Sequence, residues 1–515
     1  MGACGAGWMD AIRSARGRFP SLFQGVPAKV QSAEVSATAI VAGCPAEGGV
    51  LMVDRRAFVA GSVAFAAAGR AAIGRAAAAP ADPRPVDPRD IARDDWAPVD
   101  AIVARMRPPV FPTATFSILD YGAKHGAPAH LAVQAAVDAC AAAGGGRVLV
   151  PAGLWRMNGA IHLRSNVELH LDRDAVLRFG RPGEISLPIV LTRWEGTEVY
   201  NYSPLIYARD CTNVAITGQG VCDGQGGQGF FQWRVHQDHD KGVLRDMGED
   251  GTPVADRRFG PGHFLRPPFV QFFRCTNVLI DGPKFVDSPF WTIHPVYSTN
   301  VIVRNVTVIS HHLNSDGCDP DSCQDVLIEH CRFDVSDDCI AIKSGRDQDG
   351  WRVGLPTRNV VIRDCQMSTH IAGAIAIGSE MSGGASNIFA ERLEIHHAKQ
   401  AIYFKANLDR GGTIEQVRVR DVKVRDSDTL IDFTTAYHHS RGGNSPPIYK
   451  QFVVERVDCH NTGRALRIVG VEEAPVEDVL IRNVTVSKAR ERDVIAHTRD
   501  LRLDEVRVNG RMLVA

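Results

Sequence analysis

Two short stretches of the chain hold six aspartates among few positive charges. HHLNSDGCDPDSC spans residues 311–323, and DVSDDCIAIKSG spans residues 334–345. The six are Asp316, Asp319, Asp321, Asp334, Asp337 and Asp338. Clustered carboxyls suit acetal hydrolysis, because a protonated carboxyl can donate to the leaving oxygen while an ionised one activates water. These stretches are therefore the first candidate for a catalytic site.

The spacing of the acids predicts which of them converge. Asp316 and Asp337 lie 21 residues apart, about one coil of a β-solenoid, so they would stack on neighbouring strands about 4.8 Å apart. Asp338 reaches the same cleft only if the strand bends, since adjacent side chains point to opposite faces. The cluster also lacks the ligand order of an EF-hand calcium loop. A turn-forming role is predicted for Asp321, Asp325 and Asp334.

A strand pattern that recurs along the chain predicts the fold that positions these acids. It appears as NVELHL, NVAITG, NVLIDG, NVIVRNVTV, DVLIEHCRF, NVVIRDCQM and DVLIRNVTV, from Asn277 onward roughly every 23–35 residues. Each unit is too short to bury its own apolar face, so neighbouring units must stack. The leading Asn would sit at a bend, where it tolerates left-handed backbone. The sequence thus predicts an all-β fold, a single-stranded right-handed parallel β-helix.

Three other segments complete the predicted organisation. Residues 80–112 are expected to form an N-terminal linker and residues 113–515 the β-helix domain. Helical spacing at 130–143, followed by glycines, predicts a helix that caps the N-terminal end of the solenoid. Residues 223–268 lack strand alternation and predict a long insertion that forms one wall or end of a cleft.

The start of the chain predicts export. Residues 1–79 are an upstream extension and a twin-arginine signal, in which Arg55 and Arg56 precede an Ala-rich run. Met52 is a plausible start, and the mature chain would begin near Pro80 in the periplasm or outside the cell. An amphipathic cap helix is the alternative for this segment.

Charge and cysteine usage narrow the possible partners. A formal net charge of −1 argues against nucleic-acid and membrane partners, and we expect a monomer. The 12 cysteines contain no pair of C-x-x-C elements, which argues against structural zinc. Pairing of Cys318 with Cys323, or of Cys331 with Cys339, stays open. Similar contexts predict instead a buried column formed by Cys211, Cys275, Cys331, Cys365 and Cys459.

Residues 314–350, NSDGCDPDSCQDVLIEHCRFDVSDDCIAIKSGRDQDG, closely resemble the core of the polygalacturonase family, glycoside hydrolase family 28. Similar segments include FSILDYGAKHGAPAH at 116–130, RWEGTEVYNYSPLIYA at 193–208 and IGSEMSGG at 377–384. The resemblance implies a right-handed parallel β-helix that hydrolyses pectin with inversion. These segments are most similar to those of the bacterial exo-acting and rhamnogalacturonan-active branches of the family.

The resemblance also implies roles for individual residues. Asp337 corresponds to the general acid, and Asp316 and Asp338 to the residues that hold and activate water. Lys405 would meet the sugar before the scissile bond, and no cofactor or metal is implied. The substrate-binding candidates are Arg266, His294, Asn314, Lys343, Arg346, Glu380, Tyr403 and Lys405. Candidates for sugar stacking are Trp194, Trp291, Tyr403 and Phe404.

Two departures from the family pattern bear on the substrate. The Gly-His-Gly element falls on residues 371–373, so Ala372 replaces its histidine, and His370 lies two residues away. Tyr403 replaces the arginine that helps to bind a galacturonate carboxylate. We expect a glycosidase for a pectin-type polysaccharide, with rhamnogalacturonan or a decorated galacturonan as leading candidates. A Ca²⁺-dependent polysaccharide lyase and an inactive glycan-binding β-helix are the alternatives.

Overall fold

A computed structural model of the protein describes residues 96–438 and 440–513. The extension and export signal predicted at 1–79 lie outside these residues. Across the two described ranges, no helix combines the length and the apolar character needed to cross a bilayer.

Short strands build the first two thirds of the fold. In chain order they are β1 Thr115–Ser117, β2 Gly146–Val150, β3 Gly153–Met157, β4 Ile161–His162, β5 Val167–Leu171, β6 Ala175–Phe179, β7 Ile189–Trp194, β8 Thr197–Tyr202, β9 Ile206–Arg209, β10 Thr212–Gly218, β11 Val221–Asp223 and β12 Val270–Phe273. They continue with β13 Thr276–Asp281, β14 Lys284–Val286, β15 Ile293–Val296, β16 Thr299–Arg304, β17 Thr307–Ser310, β18 Gln324–Glu329, β19 Arg332–Val335, β20 Ile340–Ile342, β21 Thr357–Arg363, β22 Gln366–Thr369 and β23 Gly373–Gly378.

Longer strands form the last coils, and four α-helices decorate the described chain. The strands are β24 Ala385–Lys405, β25 Thr413–Thr434, β26 Ile448–Val469, β27 Val476–Ala489, β28 Val494–Ala496, β29 Thr498–Val508 and β30 Arg511–Met512. The helices are α1 Ala97–Arg105, α2 His130–Ala142, α3 Arg234–Glu249 and α4 Asp347–Val353, with short 3-10 turns at Ile118–Tyr121, Phe230–Trp233 and Val254–Asp256.

Parallel pairing between coils arranges the strands in three stacks. The first stack runs through β1, β2, β5, β10, β13, β16, β18 and β21. The second runs through β3, β6, β11, β14, β17, β19 and β22. The third contains β4, β9, β12, β15, β20 and β23, and all three continue into β24. The predicted right-handed parallel β-helix is confirmed.

An in-register column of inward-facing aliphatic side chains fills the solenoid. Within the first stack this column contains Val148, Leu169, Ile216, Ile280, Val303, Ile328, Ile362, Ala390, Val419, Val454 and Ile481. All of them are almost completely buried. Full burial of one such Val, Leu or Ile side chain contributes about 1.5–3 kcal/mol. The repeated column therefore holds successive coils at one spacing.

Asparagines at one bend form a second ladder. The side-chain amide of Asn213 donates to Asn166 at 2.9 Å, Asn277 donates to Asn213 at 2.9 Å, and Asn300 donates to Asn277 at 2.8 Å. Each of the four has left-handed backbone, with φ between 55° and 62°. The predicted left-handed bend is confirmed, but the side chains bond to the neighbouring coil and not to their own turn.

Helix α1 covers the outward face of the first stack. Trp96, Val99, Ile102 and Met106 pack against the outward side chains Ala215, Leu279, Ile302, Leu327, Val361 and Phe389. An apolar sheet face must be covered, and a helix of nine residues is sufficient here. The predicted linker at 80–112 therefore contains a helix that belongs to the domain.

Helix α2 lies near the start of the described chain, and strands β29 and β30 lie at its end. The predicted helix at 130–143 is observed as α2, and its role as an end cap stays a prediction. Its buried side chains Ala132, Val133, Ala136, Val137 and Cys140 join the main core. At the other end, β29 pairs with β27 in parallel and with β30 in antiparallel orientation.

The predicted insertion at 223–268 is largely helical. Its longest element is α3, and its apolar side chains form a separate small core with the β7–β8 hairpin. This core contains Trp194, Val199, Leu244, Phe259, Leu265, Phe290 and Trp291. Trp194 is only 1% exposed, so it packs within the protein and does not offer a sugar-stacking surface.

The ten cysteines that the structure describes are all buried and free of disulfide bonds. The thiols of Cys211 and Cys275 lie in contact, as do those of Cys331 and Cys365. The predicted burial is confirmed, but the five cysteines do not form one column, because Cys211 and Cys275 precede strands of the first stack and Cys331 and Cys365 precede strands of the second. Neither of the two possible disulfide pairs forms.

The asparagine ladder generates a stability test at Asn277. Asn277→Gly keeps the left-handed backbone but loses two side-chain hydrogen bonds, so we expect a decrease of about 1–2 kcal/mol in the free energy of unfolding. Asn277→Ala adds a steric penalty of about 1–2 kcal/mol at positive φ and should be the less stable variant. Urea unfolding followed by circular dichroism measures both. Equal stability of the two variants would contradict the steric contribution.

Candidate active site

The predicted acids lie where the chain passes from the second stack to the third. Asp316 follows β17, and Asp337 and Asp338 lie between β19 and β20. Cys318 forms bridges with Ile293 on the preceding coil and Ile340 on the next. The short Asp316 segment is thus clamped between two coils, and the strands on either side fix this corner.

Three carboxyl groups converge at the corner. One oxygen from each of Asp316, Asp337 and Asp338 lies within 4.8 Å of the others. Asp316 and Asp338 are buried, whereas Asp337 is half-buried. The break between β19 and β20 supplies the bend that brings Asp337 and Asp338 into one group. Like charges this close disfavour simultaneous ionisation.

Asp337 is anchored by backbone donors and has an elevated proton affinity. Its Oδ2 accepts a hydrogen bond from the backbone N–H of Asn314 at 2.9 Å, and its Oδ1 accepts one from Asp338 at 3.1 Å. Burial and the neighbouring Asp338 raise the pKa of Asp337, against the opposing effect of Lys405. This carboxyl therefore stays protonated to a higher pH than an exposed aspartic acid.

Asp338 is held as one half of a buried ion pair. Its Oδ2 lies 2.6 Å from Lys405 Nζ, and its Oδ1 accepts a hydrogen bond from the backbone N–H of Gly373 at 2.8 Å. Burial disfavours the Lys405 cation, but Asp338 together with Tyr437, Tyr403 and Asp337 outweighs this effect and keeps the pKa of Lys405 well above its ordinary value. The ion pair therefore places the Asp338 carboxylate at a fixed position beside Asp337.

Asp319 is a fourth carboxyl, completely buried beside Asp316. Among the described residues, neither oxygen of Asp319 has a hydrogen-bond donor, and Asp316 Oδ1 also lacks one. The nearest cation, Lys343 Nζ, lies 4.0 Å from an oxygen of each. Burial raises the pKa of both carboxyls well above the ordinary value, and the other carboxylates raise it further. This pair favours a bound proton.

A buried chain of alternating charges lies next to the acids. Lys343 Nζ contacts Glu380 Oε2 at 3.0 Å, Glu380 Oε1 contacts Arg346 at 2.9 Å, and Arg346 contacts Glu195 Oε2 at 2.8 Å. Burial opposes the charge of Glu380, but Lys343, Arg346 and Arg410 outweigh it and hold its pKa well below the ordinary value. These candidates therefore form one rigid, fully ionised network.

Arg266 differs from its prediction as a substrate contact. The side chain is completely buried, and its guanidinium donates to Asn314 Oδ1 and Gln237 Oε1, both at 2.6 Å. It also donates to the backbone carbonyls of Pro289 and Leu313. Arg266 holds the half-buried Asn314, whose backbone N–H in turn holds the general-acid candidate. Its effect on substrate is therefore indirect.

His294 and Asp321 also differ from their predictions, because both are completely buried. His294 Nδ1 lies 3.0 Å from Gln271 Nε2, and its Nε2 lies 3.5 Å from Asp321 Oδ2. Asp321 Oδ1 pairs with Arg193 at 2.8 Å and accepts from the backbone N–H of Gly345 at 3.0 Å. His294 contacts no exposed surface, and Asp321 is half of an internal ion pair instead of a turn residue.

Tyr403, which replaces the arginine of the family pattern, lies beside Lys405 together with Tyr437. The Lys405 ammonium lies 5.2 Å from the centre of the Tyr403 ring and 4.9 Å from that of Tyr437. Tyr403 is 7% exposed, and Tyr437 is half-buried, with a pKa that burial raises to about 12. Phe404 points into the core against Phe433. The tyrosines therefore offer ring faces and hydroxyls beside Lys405.

The position opposite Asp338 on the next coil is Gly373, one residue beyond the expected Ala372. A Cβ at Gly373 would lie 3.1 Å from Asp338 Oδ1 and 3.3 Å from Tyr403 Cβ, so a side chain there would crowd Asp338 and Tyr403. His370 instead makes ring contacts with His311 and His397. Those contacts place His370 in a separate surface row, away from the role of a replacement histidine.

Helix α3 of the insertion lies across one end of the charged network. Lys241 pairs with Glu195 at 2.8 Å. Arg245 pairs with Asp347 at 2.9 Å and with Asp409 at 2.7 Å. The insertion is thus tied to three different parts of the coil surface, and it forms a fixed wall beside the site.

The assembled groups suit acid and base chemistry at an acetal. Asp337 can donate a proton towards the cleft, while Asp338 is held in its ion pair with Lys405. Two acceptors that share one water molecule stand about 4.5 Å apart, since each hydrogen bond is about 2.8 Å long. One oxygen each of Asp316 and Asp338 lie within 4.8 Å of each other, which allows one shared water molecule. Asp337, the acid candidate, lies within the same 4.8 Å of both, which is closer than the about 6.5–9.5 Å between acid and base that is common in inverting glycosidases.

Comparison with known proteins identifies the family. The family model described as Glycosyl hydrolases family 28 matches residues 189–500. A probable polygalacturonase of Vitis vinifera is 31% identical over 359 residues, covering 67% of this chain and 68% of the relative. The chain belongs to glycosyl hydrolase family 28. It is therefore a glycosidase.

Two further relatives of this family 28 glycosidase differ in their mode of action. An exopolygalacturonase of Thermotoga maritima superposes with a TM-score of 0.78 at 38% identity, covering 82% of this chain and 97% of that structure. An endo-polygalacturonase of Pectobacterium carotovorum subsp. carotovorum is 25% identical over 302 residues, covering 56% of this chain and 67% of the relative.

Sequence reasoning missed several residues of the site. Glu195 lies in the turn between β7 and β8, far along the chain from the residues it contacts. Asp319 stands in the first acidic stretch, and its lack of donors is visible only in three dimensions. Tyr437 comes from a loop after β25 with no motif of its own. Only Asp319 carried a sequence signal, its place three residues after Asp316.

The buried carboxyl of Asp319 predicts a pH-dependent effect of its substitution on thermal stability. The pKa of Asp319 is higher in the folded protein than in the unfolded chain, where it is about 4. Its contribution to the free energy of unfolding is therefore fully present below a pH of about 4 and is lost as the pH rises. Asp319→Asn should therefore raise the thermal midpoint at pH 7 and change it little near pH 4. The control Asp364→Asn should lower the midpoint at pH 7, since Arg392 lowers the pKa of Asp364. Scanning calorimetry at both pH values measures this, and a destabilised Asp319→Asn at pH 7 would contradict it.

Proposed function

We propose that this glycosidase hydrolyses galacturonan chains of pectin from a chain end, with inversion at the anomeric carbon. The observation that carries the proposal is the convergence of Asp316, Asp337 and Asp338 at one corner of the β-helix, beside Lys343 and Lys405. The named activities of the grape and Thermotoga relatives support pectin as the substrate class.

Asp337 acts as the general acid in this proposal. It is the most exposed of the three carboxyls, its pKa is raised, and its two oxygens are oriented by backbone N–H groups. A protonated carboxyl in this position donates to the leaving glycosidic oxygen as the bond breaks. General acid assistance is worth about 10²–10⁴-fold in rate.

Asp316 and Asp338 hold the attacking water between them. Asp338, in its ion pair with Lys405, orients the water. Asp316 accepts the water's proton while the proton held by the Asp316–Asp319 pair resides on Asp319. The water bonds to the anomeric carbon from the face opposite the leaving group. The product then carries the inverted anomeric configuration.

Lys405 and the tyrosines beside it bind the sugar before the scissile bond. Lys405 supplies a cation for a galacturonate carboxylate, although Asp338 already shares its charge. Tyr403 and Tyr437 replace the charged contact of an arginine with ring faces and hydroxyls, so affinity for a carboxylate at this subsite is lower. The same groups would accept a neutral or decorated sugar.

The insertion favours attack at a chain end. Helix α3 closes one end of the site through the pairs of Lys241 and Arg245, and Arg441 contacts Asp246 and Glu249 on the same helix. A long polymer cannot extend past a fixed wall, whereas a chain end fits against it. The exo-acting Thermotoga relative supports this mode.

Substitution of the proposed acid tests the mechanism. Asp337→Asn should reduce kcat on homogalacturonan by about 10²–10⁴-fold with little change in KM, because proton donation is lost while shape is kept. Asp364→Asn, on the outer surface, is the matched control and should keep wild-type turnover. Reducing-end assays give both constants, and nuclear magnetic resonance gives the product anomer.

A substrate panel decides between this reaction and its alternatives. Homogalacturonan should be hydrolysed faster than rhamnogalacturonan and xylogalacturonan, with no effect of a chelator. Absence of hydrolysis of all three, or undiminished turnover by Asp337→Asn, would sink the proposed mechanism. Ultraviolet-absorbing products that disappear with chelator would instead indicate a lyase, and a retained anomer would exclude inversion.

Early products test the mode of attack. The wild-type protein should release short products of one length from the first time point, measured by anion-exchange chromatography. Arg245→Ala removes the pairs with Asp347 and Asp409 and should increase the share of longer oligosaccharides. Arg392→Ala removes the more exposed pair with Asp364, away from the insertion, and should leave the pattern unchanged. A ladder of intermediate lengths from the wild-type protein would exclude chain-end attack.

A further inference from the structure

A second cluster of chemically capable side chains lies at the end of the second stack. His311 follows β17, Asp334 lies in β19, and His370 follows β22, so the three come from successive coils. One ligand atom of each lies within 4.8 Å of the others. The two histidines are exposed, and Asp334 is half-buried. The proposed hydrolysis uses none of them.

The coil register holds these side chains in place. Ile309 pairs with Asp334 across the first two coils, and Val335 pairs with Thr369 across the next two. His311 Nε2 lies 2.9 Å from Asp334 Oδ1. The rings of His311 and His370 are 5.5 Å apart and nearly perpendicular. The three groups therefore face one region of solvent from rigid positions.

We propose that His311, Asp334 and His370 bind a divalent transition-metal ion of the Zn²⁺ class. Imidazole nitrogen and carboxylate oxygen are the ligands that Zn²⁺ prefers, at about 2.0–2.2 Å. Two ligand atoms on one such ion stand about 3.0–3.4 Å apart. The His311 and Asp334 atoms are close to this separation, and rotation of the exposed His370 ring brings in the third.

Neighbouring side chains continue the row and support the site. The His397 ring lies 6.1 Å from that of His370 on the following coil. His397 Nδ1 pairs with Asp426 Oδ2 at 2.9 Å, and Asn461 donates to the other oxygen of Asp426. A histidine oriented by a carboxylate is the usual companion of a protein-bound transition metal. His397 thus extends the row of imidazoles by one coil.

An ion at this site would join three coils immediately before the active-site corner. Asp334 lies three residues before Asp337, and His370 lies three residues before Gly373, whose N–H holds Asp338. Binding to the folded chain alone stabilises it by mass action. The ion would therefore stabilise the stack from outside without contact with the carboxylates of the active site.

The proposal is tested with Zn²⁺ and a chain that carries no polyhistidine tag. Isothermal titration calorimetry should show one tight equivalent in the wild-type protein, and at least about tenfold weaker binding in His311→Ala and in His370→Ala. His460→Ala, which removes an exposed histidine on another coil, should keep the wild-type affinity. Circular dichroism without metal verifies that each variant is folded.

Two further measurements separate this site from adventitious binding. Co²⁺ should give visible absorption bands in the wild-type protein that the double variant, His311→Ala with His370→Ala, lacks. Zn²⁺ should raise the thermal midpoint of the wild-type protein and leave that of the double variant unchanged. Equal Zn²⁺ affinity of the wild-type protein and the double variant, or no binding by either, would overturn the proposal.

Discussion

Parallel pairing of the coils in register is the constraint on which the rest of the molecule depends. Each coil is held about 4.8 Å from the next by backbone hydrogen bonds, and the aliphatic column prevents slippage because a shift by one residue would turn apolar side chains outward. Asp316, Asp338, Gly373 and Lys405 come from four successive coils. The distances between these residues are therefore set mainly by the strand pairing between coils and less by the conformation of any loop.

The same rigidity permits an arrangement of charges that a mobile loop would relax. Lys405 and Glu380 are stabilised by buried partners, but Asp316 and Asp319 retain carboxyl oxygens without donors. Unsatisfied buried carboxyls are unfavourable in the resting protein. They are also ready to accept a proton from water or to orient it. The stability lost at this corner is supplied by the long aliphatic core.

The fold and the catalytic acids could be predicted from the sequence because both depend on local sequence patterns. The repeated Asn-led strands define the coils, and Asp316, Asp337 and Asp338 stand in two recognisable stretches. Burial is not a local property, so Arg266 and His294 could not be distinguished from true contact residues. Their segments resemble the family, yet each side chain turns inward to hold another group.

Long-range partners were hidden for a related reason. Glu195 reaches the site from a hairpin 151 residues before Arg346, and α3 is tied to three separate turns. The sequence did not predict helix α1, because its apolar stripe is short and packs against the outer face of the sheet. Such contacts depend on which coil surfaces lie side by side, and they follow only once the solenoid register is known.

The antiparallel return of β30 onto β29 has a consequence for how the protein behaves in solution. An open solenoid end presents unpaired backbone N–H and C=O groups, which form a template for adding another chain. Here the last two residues of that hairpin reverse direction and occupy part of the template with pairing of the opposite sense. Arg499, Arg502 and Asp504 add charge to the remaining edge. The hairpin therefore covers part of the edge of β29, and the charged side chains disfavour pairing of the uncovered part with another chain.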